Sequence, residues 1–230
     1  MPPYISLIIP AHNEENYLRP TLHSIKNQAY QDFEVIVVAN GCTDKTEEII
    51  KKRENGKVKL LTLPVANVSR ARNYGASKAE GELLLFLDAD TQLAPDALQK
   101  MNEQFTVEHA VATTTVKPDE QKLSFSAAMA FKSFRLRNGL YKGCSGALLC
   151  RRADFDAVNG YDPELIMLEH RKLILKLLEK GKYCCVDAPS ITSMRRLKSW
   201  GVGRVTLFWI QQWLRDKVGQ LPGNDYEKVR

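Results

Sequence analysis

Two carboxylates, Asp88 and Asp90, stand one residue apart directly after five apolar residues, Leu83 to Leu87. Alternating carboxylates at a strand end can aim at one point beyond a sheet. Two hard oxygen ligands there suit Mg²⁺ or Mn²⁺, which also takes phosphate oxygens and water. Such an ion would offset the charge of a departing diphosphate. Aspartates at this spacing also cap turns, so the residues alone leave both readings open. Zinc chemistry is not indicated. The five cysteines, Cys42, Cys144, Cys150, Cys184 and Cys185, lack zinc-ligand spacing, and no two of the four histidines stand at zinc-protease spacing. Reduced thiols buried as small side chains are the natural reading.

The elements that must position the pair alternate in type. Ile5 to Ile9 is an apolar run ending at Pro10 and predicts a buried strand. Asn13 offers an N-cap, with Glu14 and Glu15 in the first turn of a helix reaching about Asn27. Phe33 to Val38 predicts a second strand, and Thr43 or Asp44 caps a helix to about Arg53. Val58 to Leu63 follows as a strand, Asn67 or Ser69 starts a helix through Ala79, and Leu83 to Leu87 is the most apolar strand. Pro95 then opens another helix, where its missing N–H costs nothing. Further on, Ala110 to Val116 reads as a strand, 121–137 as a helix, Gly146 to Cys150 as extended, Leu168 to Lys180 as a helix, and Tyr183 to Val186 as a last strand.

This alternation predicts an α/β fold: a Rossmann-like, mainly parallel central sheet with helices on both faces, followed by a C-terminal helical tail. Ligands in such sheets bind beyond the carboxyl ends of the strands. The loops there, Pro10 to Glu14, Ala39 to Asp44, Pro64 to Arg72 and Asp88 to Thr91, hold most of the unusual polar residues of the first half. No linker or repeat is visible. The expected organisation is one domain over 1–190, with a nucleotide-binding half (1–116) and an acceptor half (117–190), and a basic aromatic extension over 191–230.

Several stretches in order carry a resemblance. Ser6-Leu-Ile-Ile-Pro-Ala-His-Asn-Glu-Glu15, Phe33-Glu-Val-Ile-Val-Val-Ala-Asn-Gly-Cys-Thr-Asp-Lys-Thr46, Ser69-Arg-Ala-Arg-Asn-Tyr-Gly75, Ala79-Glu-Gly-Glu82 and Leu85-Phe-Leu-Asp-Ala-Asp90 resemble the nucleotide half of family 2 glycosyltransferases. Gly143-Cys-Ser-Gly146, Arg151-Arg152 and Asn159-Gly-Tyr-Asp162 match the acceptor half more loosely. The similarity covers roughly residues 4–187. It implies the type A glycosyltransferase fold and inverting transfer of a sugar from a nucleoside-diphosphate sugar, with Mn²⁺ or Mg²⁺ as cofactor. By the same resemblance, Pro10, Ala11, His12 and Glu14 line the nucleoside pocket, with Ala39 and Asn40 at the base. Arg72 opposes the nucleotide's charge, Asp88 and Ala89 meet ribose or donor sugar, and Asp90, with Asp88, holds the metal.

Two departures stand out. Where many relatives carry Asp-Asp in the second loop, this chain has Ala39-Asn40. Ala39 cannot accept a hydrogen bond from a base, so altered or relaxed base selectivity is expected. Where relatives carry Glu-Asp, whose Asp takes the acceptor's proton, this chain has Glu169-His170. His170 or Glu169 is therefore the expected base, with a helix N-terminus favouring neutral His170. A sugar-phosphate nucleotidyltransferase and a non-catalytic nucleotide-sugar-binding protein remain the alternatives.

Charge separates the halves. Of 33 basic and 27 acidic side chains, residues 1–120 hold 13 and 17, net −4, and residues 121–230 hold 20 and 10, net +10. Residues 195–217 carry six of the basic residues against Asp216 and include all three tryptophans. Val205, Phe208, Trp209 and Trp213 share a helical face there. That composition suits either a helix docked on the core or an interfacial helix at an anionic membrane surface, which would fit a lipid-linked acceptor. No nucleic-acid motif accompanies the charge. No apolar run approaches the roughly 18–20 residues of a membrane span, and Ile5 to Ile9 is too short for a signal-peptide core. The expected location is cytoplasmic, peripheral to the membrane's inner face.

Overall fold

The computed structural model describes residues 4–165 and 167–217. Eight strands, β1 (Ile5–Ala11), β2 (Phe33–Asn40), β3 (Val58–Leu63), β4 (Leu83–Leu87), β5 (Thr91–Leu93), β6 (His109–Pro118), β7 (Ala147–Arg151) and β8 (Lys182–Thr192), form one sheet. Its order is β3-β2-β1-β4-β7-β6-β8-β5. The first four strands pair parallel, as the alternation requires, and β6 pairs parallel with β8. β7 runs antiparallel to both β4 and β6, so the sheet is mixed beyond β4.

Helices cover both faces. On one lie α1 (Leu18–Lys26), α2 (Thr46–Lys51) and α4 (Ala97–Gln104), packed on Ile5, Leu7, Ile9, Val35, Val37, Leu85 and Leu87. On the other lie α3 (Val68–Ser77), α6 (Arg152–Ala157) and α7 (Glu169–Leu177), packed on Ile8, Ile36, Val38, Leu84 and Phe86. The period-two alternation of strand side chains divides the apolar runs between the two layers. The one polar residue inside β1 is satisfied: Ser6 Oγ donates to Glu34 Oε1 at 2.7 Å and accepts from the Gly81 N–H at 2.8 Å. Lys59 closes this buried cluster on Glu34 Oε2 at 3.0 Å.

The loops differ from the sequence reading. β1 runs on through Ala11, and Asn13 adopts φ 54° rather than the extended conformation of an N-cap. α1 therefore begins at Leu18, and Glu14 and Glu15 fall in the turn before it, where the Glu14 carbonyl accepts the Tyr17 and Leu18 N–H groups. Asn13 instead bridges two loops, accepting the Thr43 N–H at 2.7 Å and donating to Thr43 Oγ1 at 2.9 Å. Asp44 accepts the Thr46 N–H at 2.9 Å and the Glu15 N–H at 3.2 Å. The short β5 and α6 were not expected, α4 begins two residues after Pro95, and β8 extends well beyond Val186.

Two more helices complete the described residues, α5 (Leu123–Arg137) and α8 (Arg195–Lys217). Gly201, at φ 77° and ψ 157°, breaks α8. Across that break Trp200 packs edge-on against Phe208, and Phe208 against Trp209. Part of the expected tail stripe thus covers itself, and the side chains left outward include Leu207 and Ile210. The side chains of Trp213 and Lys217, and residues 218–230, lie outside the described residues.

Candidate active site

The strand end that bears Asp88 is closed by the main chain. The Thr91 N–H donates to the Asp88 carbonyl at 3.0 Å, and the Asp88 N–H to the Gly146 carbonyl at 2.8 Å. This leaves the Asp88 carboxylate free of the turn, which removes the turn-capping alternative for it. Gly146 sits at φ +80°, and a Cβ there would stand 2.3 Å from Thr91 Oγ1, so only glycine brings this loop so close.

Arg72 holds Asp88. Asn67 caps α3 by accepting the Arg70 N–H at 2.9 Å. The helix seats closely on β1 because a Cβ at Gly75 would lie 2.5 Å from the Ile8 methyl. From this helix the Arg72 guanidinium, 3% exposed, donates through Nη2 to Asp88 Oδ1 and through Nη1 to Glu169 Oε1, both at 2.8 Å. Its plane lies over Tyr161 at 5.2 Å. Asn73, on the same helix, clamps the Tyr161 main chain in both directions, at 2.7 and 3.0 Å. The stretches Ser69 to Gly75 and Asn159 to Asp162, far apart in sequence, therefore dock on each other. Arg72, expected beside a nucleotide, bridges Asp88 and Glu169.

Glu169 and His170 open α7, and Leu168 just before them sits at φ 58°. A left-handed leucine is costly, and such strain concentrates at functional positions. His170 Nδ1 meets the Tyr161 hydroxyl at 2.9 Å, and Nε2 lies 3.8 Å from Asp88 Oδ1. Burial and the Arg72 guanidinium disfavour the imidazolium, but Cys144 and Asp88 outweigh them and raise the His170 pKa to about 9. This direction runs against the neutral histidine expected from the helix N-terminus, because Cys144 and the Asp88 carboxylate favour the charged form more than a helix dipole disfavours it. Burial likewise opposes ionisation of Asp88, yet His170 and Arg72 hold it well below the usual carboxylate range.

Asp90 has different company. Arg195, the first residue of α8, forks onto Glu14 with two hydrogen bonds of 2.8 Å. Its Nη2 also lies 3.1 Å from Asp90 Oδ2, and its plane stacks over Tyr17 at 4.8 Å. Burial raises the Asp90 pKa to about 7. Arg195 pulls it down, while Asp88 and Glu14 add to the rise.

Other expected residues contribute differently. Pro10, Ala11, Ala39 and Ala89 are buried at or just beyond the carboxyl ends of β1, β2 and β4. Asn40 is 3% exposed; its Oδ1 accepts the Asn67 N–H at 2.9 Å, and its carbonyl faces His12 Nδ1 at 2.7 Å. Sequence reasoning missed Arg195 as a site residue, since its only visible signal was membership of a basic tail. It also missed the roles of Tyr161 and Cys144, although both lie in stretches that carry the resemblance.

Among the described residues, no three His, Cys, Asp or Glu side chains converge as a self-sufficient metal cage. Mg²⁺ and its kin need no such cage, since one or two carboxylates suffice when water and substrate phosphates supply the rest. Asp90 lies near two other carboxylates with one shared guanidinium, a deficit of positive charge that suits a divalent cation.

A family model described as Glycosyl transferase family 2 matches residues 6–158. An uncharacterized glycosyltransferase of Haemophilus influenzae is 40% identical over 114 residues, covering 48% of this chain and 46% of that protein. The chain thus matches less than half the length of this relative. Staphylococcus aureus TarS residues 1–349, solved with UDP-GlcNAc, superposes with a TM-score of 0.66 at 20% identity, over 83% of this chain and 58% of that one. A mannosyltransferase from Pyrobaculum calidifontis, solved with GDP-Man and Mn²⁺, gives 0.68 at 16% identity, over 92% and 65%. These likenesses establish the type A glycosyltransferase fold for this mixed sheet.

Proposed function

The chain belongs to glycosyl transferase family 2, and from that premise we propose that it transfers a sugar from a nucleoside-diphosphate sugar to an acceptor hydroxyl, with inversion. The observation that carries this reading is the convergence of Asp88, Asp90, Glu14, Glu169 and His170 at one sheet end, organised by Arg72 and Arg195. Neighbours of the same fold hold UDP-GlcNAc and GDP-Man.

The acceptor oxygen bonds to the anomeric carbon as the bond to the diphosphate oxygen breaks, and the hydroxyl proton passes to His170 in its neutral form or to Glu169. Arg72 keeps Asp88 ionised and Glu169 in place. Arg195, a planar fork suited to phosphate oxygens, turns toward the diphosphate. Asp90, with Asp88 beside it, would hold Mn²⁺ or Mg²⁺, which would supply positive charge for the leaving nucleoside diphosphate. With Ala39 in the core and the Asn40 side-chain oxygen engaged, base selectivity is relaxed. The acceptor half is residues 117–190, and the acceptor is lipid-linked or a glycan, with residues 195–217 toward an anionic membrane. Among the described residues, no helix is long and apolar enough to cross one.

The test is donor turnover with UDP-, GDP-, CDP- and dTDP-sugars and Mn²⁺. The expected product is nucleoside diphosphate, and Asp90→Asn lowers turnover by roughly a hundredfold or more. Release of pyrophosphate would identify a nucleotidyltransferase instead. A second reading, nucleotide-sugar binding without transfer, is favoured by one observation: Nε2 of the candidate base His170 lies 3.8 Å from the Asp88 carboxylate, which together with Cys144 favours the charged imidazolium. Tight nucleotide binding with neither transfer nor hydrolysis would select it.

A further inference from the structure

α5 is apolar on its outward face. Leu123 is 86% exposed, Phe131 64% and Phe134 57%, and Ala127 and Ala130 between them are also exposed. These positions recur at helical spacing and form one stripe. The opposite face anchors the helix. Phe125 and Leu136 are buried, and Ser133 Oγ both accepts the Val116 N–H at 2.9 Å and donates to the Val116 carbonyl at 3.0 Å. Rotation that would bury the stripe breaks both bonds. α8 packs beside α5 and adds Leu207, 56% exposed, and Ile210, 49% exposed.

Cations rim this surface. Arg135 lies over Phe131 and Tyr141, Arg137 pairs with Asp187, and Arg196 and Arg204 lie over Trp200. Contiguous exposed apolar side chains are uncommon on a surface meant only for water. A self-association through this face would bring like charges together. Apolar side chains ringed by arginines instead match lipid at the level of anionic headgroups.

We propose that α5 and the part of α8 after Gly201 together seat the protein on an anionic bilayer surface, with Phe131 and Phe134 as the main apolar anchors. This deepens the membrane-side acceptor reading above and moves the principal contact from the tail onto α5, a helix of the catalytic domain.

The experiment is flotation of the full chain with vesicles of phosphatidylcholine alone or with phosphatidylglycerol added. Nucleoside-diphosphate release is measured on the same samples. The wild type is expected to float with the anionic vesicles and to be released by salt. Phe131→Asp/Phe134→Asp is expected to lower its partition roughly tenfold or more, with donor turnover in solution unchanged and circular dichroism matching the wild type. Equal flotation of that variant overturns the inference, as does loss seen only with Leu207→Asp/Ile210→Asp, which returns the contact to the tail. A wild-type dimer in sedimentation that the α5 variant dissolves also overturns it, by making the stripe a contact between copies. If no vesicle binds while sugar transfer proceeds, the surface falls and the transferase stands. If the α5 effect holds without donor turnover, the transferase falls and the surface stands.

Discussion

Asp88 and Asp90 leave one strand end a residue apart, yet their surroundings drive them in opposite directions. Asp88 faces two cations, Arg72 and His170, and is held well below the usual carboxylate range against its own burial. Asp90 shares a single cation, Arg195, with Glu14, and burial raises it to about 7. The Asp88 side is built within the domain, by α3, α7 and Tyr161. The Asp90 side is assembled from a loop and the first residue of α8. The first is electrostatically complete; the second lacks positive charge, and that is where the proposed metal and diphosphate would supply it.

The largest effect expected is on the complete side. Arg72→Met leaves Asp88 and Glu169 facing each other without their strut, and should cost about 3 kcal/mol in urea unfolding. An unchanged midpoint would show that the strut is dispensable. The two carboxylates should then differ in sign in the metal-free chain. Asp90 is raised above its unfolded value of 3.8, so its ionisation opposes folding fully above pH 7 and not at all well below pH 3.8. Asp90→Asn should therefore stabilise the protein above pH 7, on the order of 2 kcal/mol, with no gain in acid. Asp88→Asn should destabilise it by about 1 kcal/mol, a figure reduced for the partial exposure of Asp88. Like signs for the two variants would erase the contrast.

His170 sharpens the comparison through pH. Its folded pKa of about 9 exceeds the unfolded 6.5. The stability it contributes is therefore fully present below pH 6.5 and is lost as pH rises through about 9. The gap between wild type and His170→Gln should be on the order of 1–2 kcal/mol in the lower range and close in the upper one. A gap that does not change with pH would separate His170 from Asp88.

Much of the Asp88 side was legible in the sequence, and little of the Asp90 side. Leu83 to Leu87 could only be a buried strand, so the position of Asp88 and Asp90 at its end followed. Asn67 or Ser69 placed the start of α3, and with it Arg72. The partners of each carboxylate were another matter, because they come from 16, 97, 105 and 181 residues away, in the pairs Arg72–Asp88, Arg72–Glu169, Asp90–Arg195 and Glu14–Arg195. Local pattern carries no record of such pairings. It also misplaced the start of α1. Asn13-Glu14-Glu15 has the composition of a cap, and only the neighbouring loop, through Thr43, draws Asn13 into the left-handed region. The groups that bear on the charge of His170, Cys144 and Asp88, were out of view for the same reason, since neither lies on its helix.

Added Mn²⁺ tests whether the incomplete side accepts a cation at all. In the wild type, Arg195 already neutralises part of Glu14 and Asp90, and an added ion must share their oxygens with the guanidinium. Arg195→Met removes that competitor and leaves both carboxylates to the ion. Mn²⁺ alone, without nucleotide, should therefore raise the melting temperature of Arg195→Met more than that of the wild type. At about tenfold over Kd, linkage gives about 1.4 kcal/mol, or about 3–5 °C for a chain of this size. Arg195→Met/Asp90→Asn should lose the extra shift, while Arg195→Met/Asp88→Asn keeps most of it. Equal Mn²⁺ shifts in wild type and Arg195→Met would mean that the ion does not use the oxygens Arg195 holds, and the cation deficit at Asp90 would then have to be met by the diphosphate-bound metal or by α8 itself.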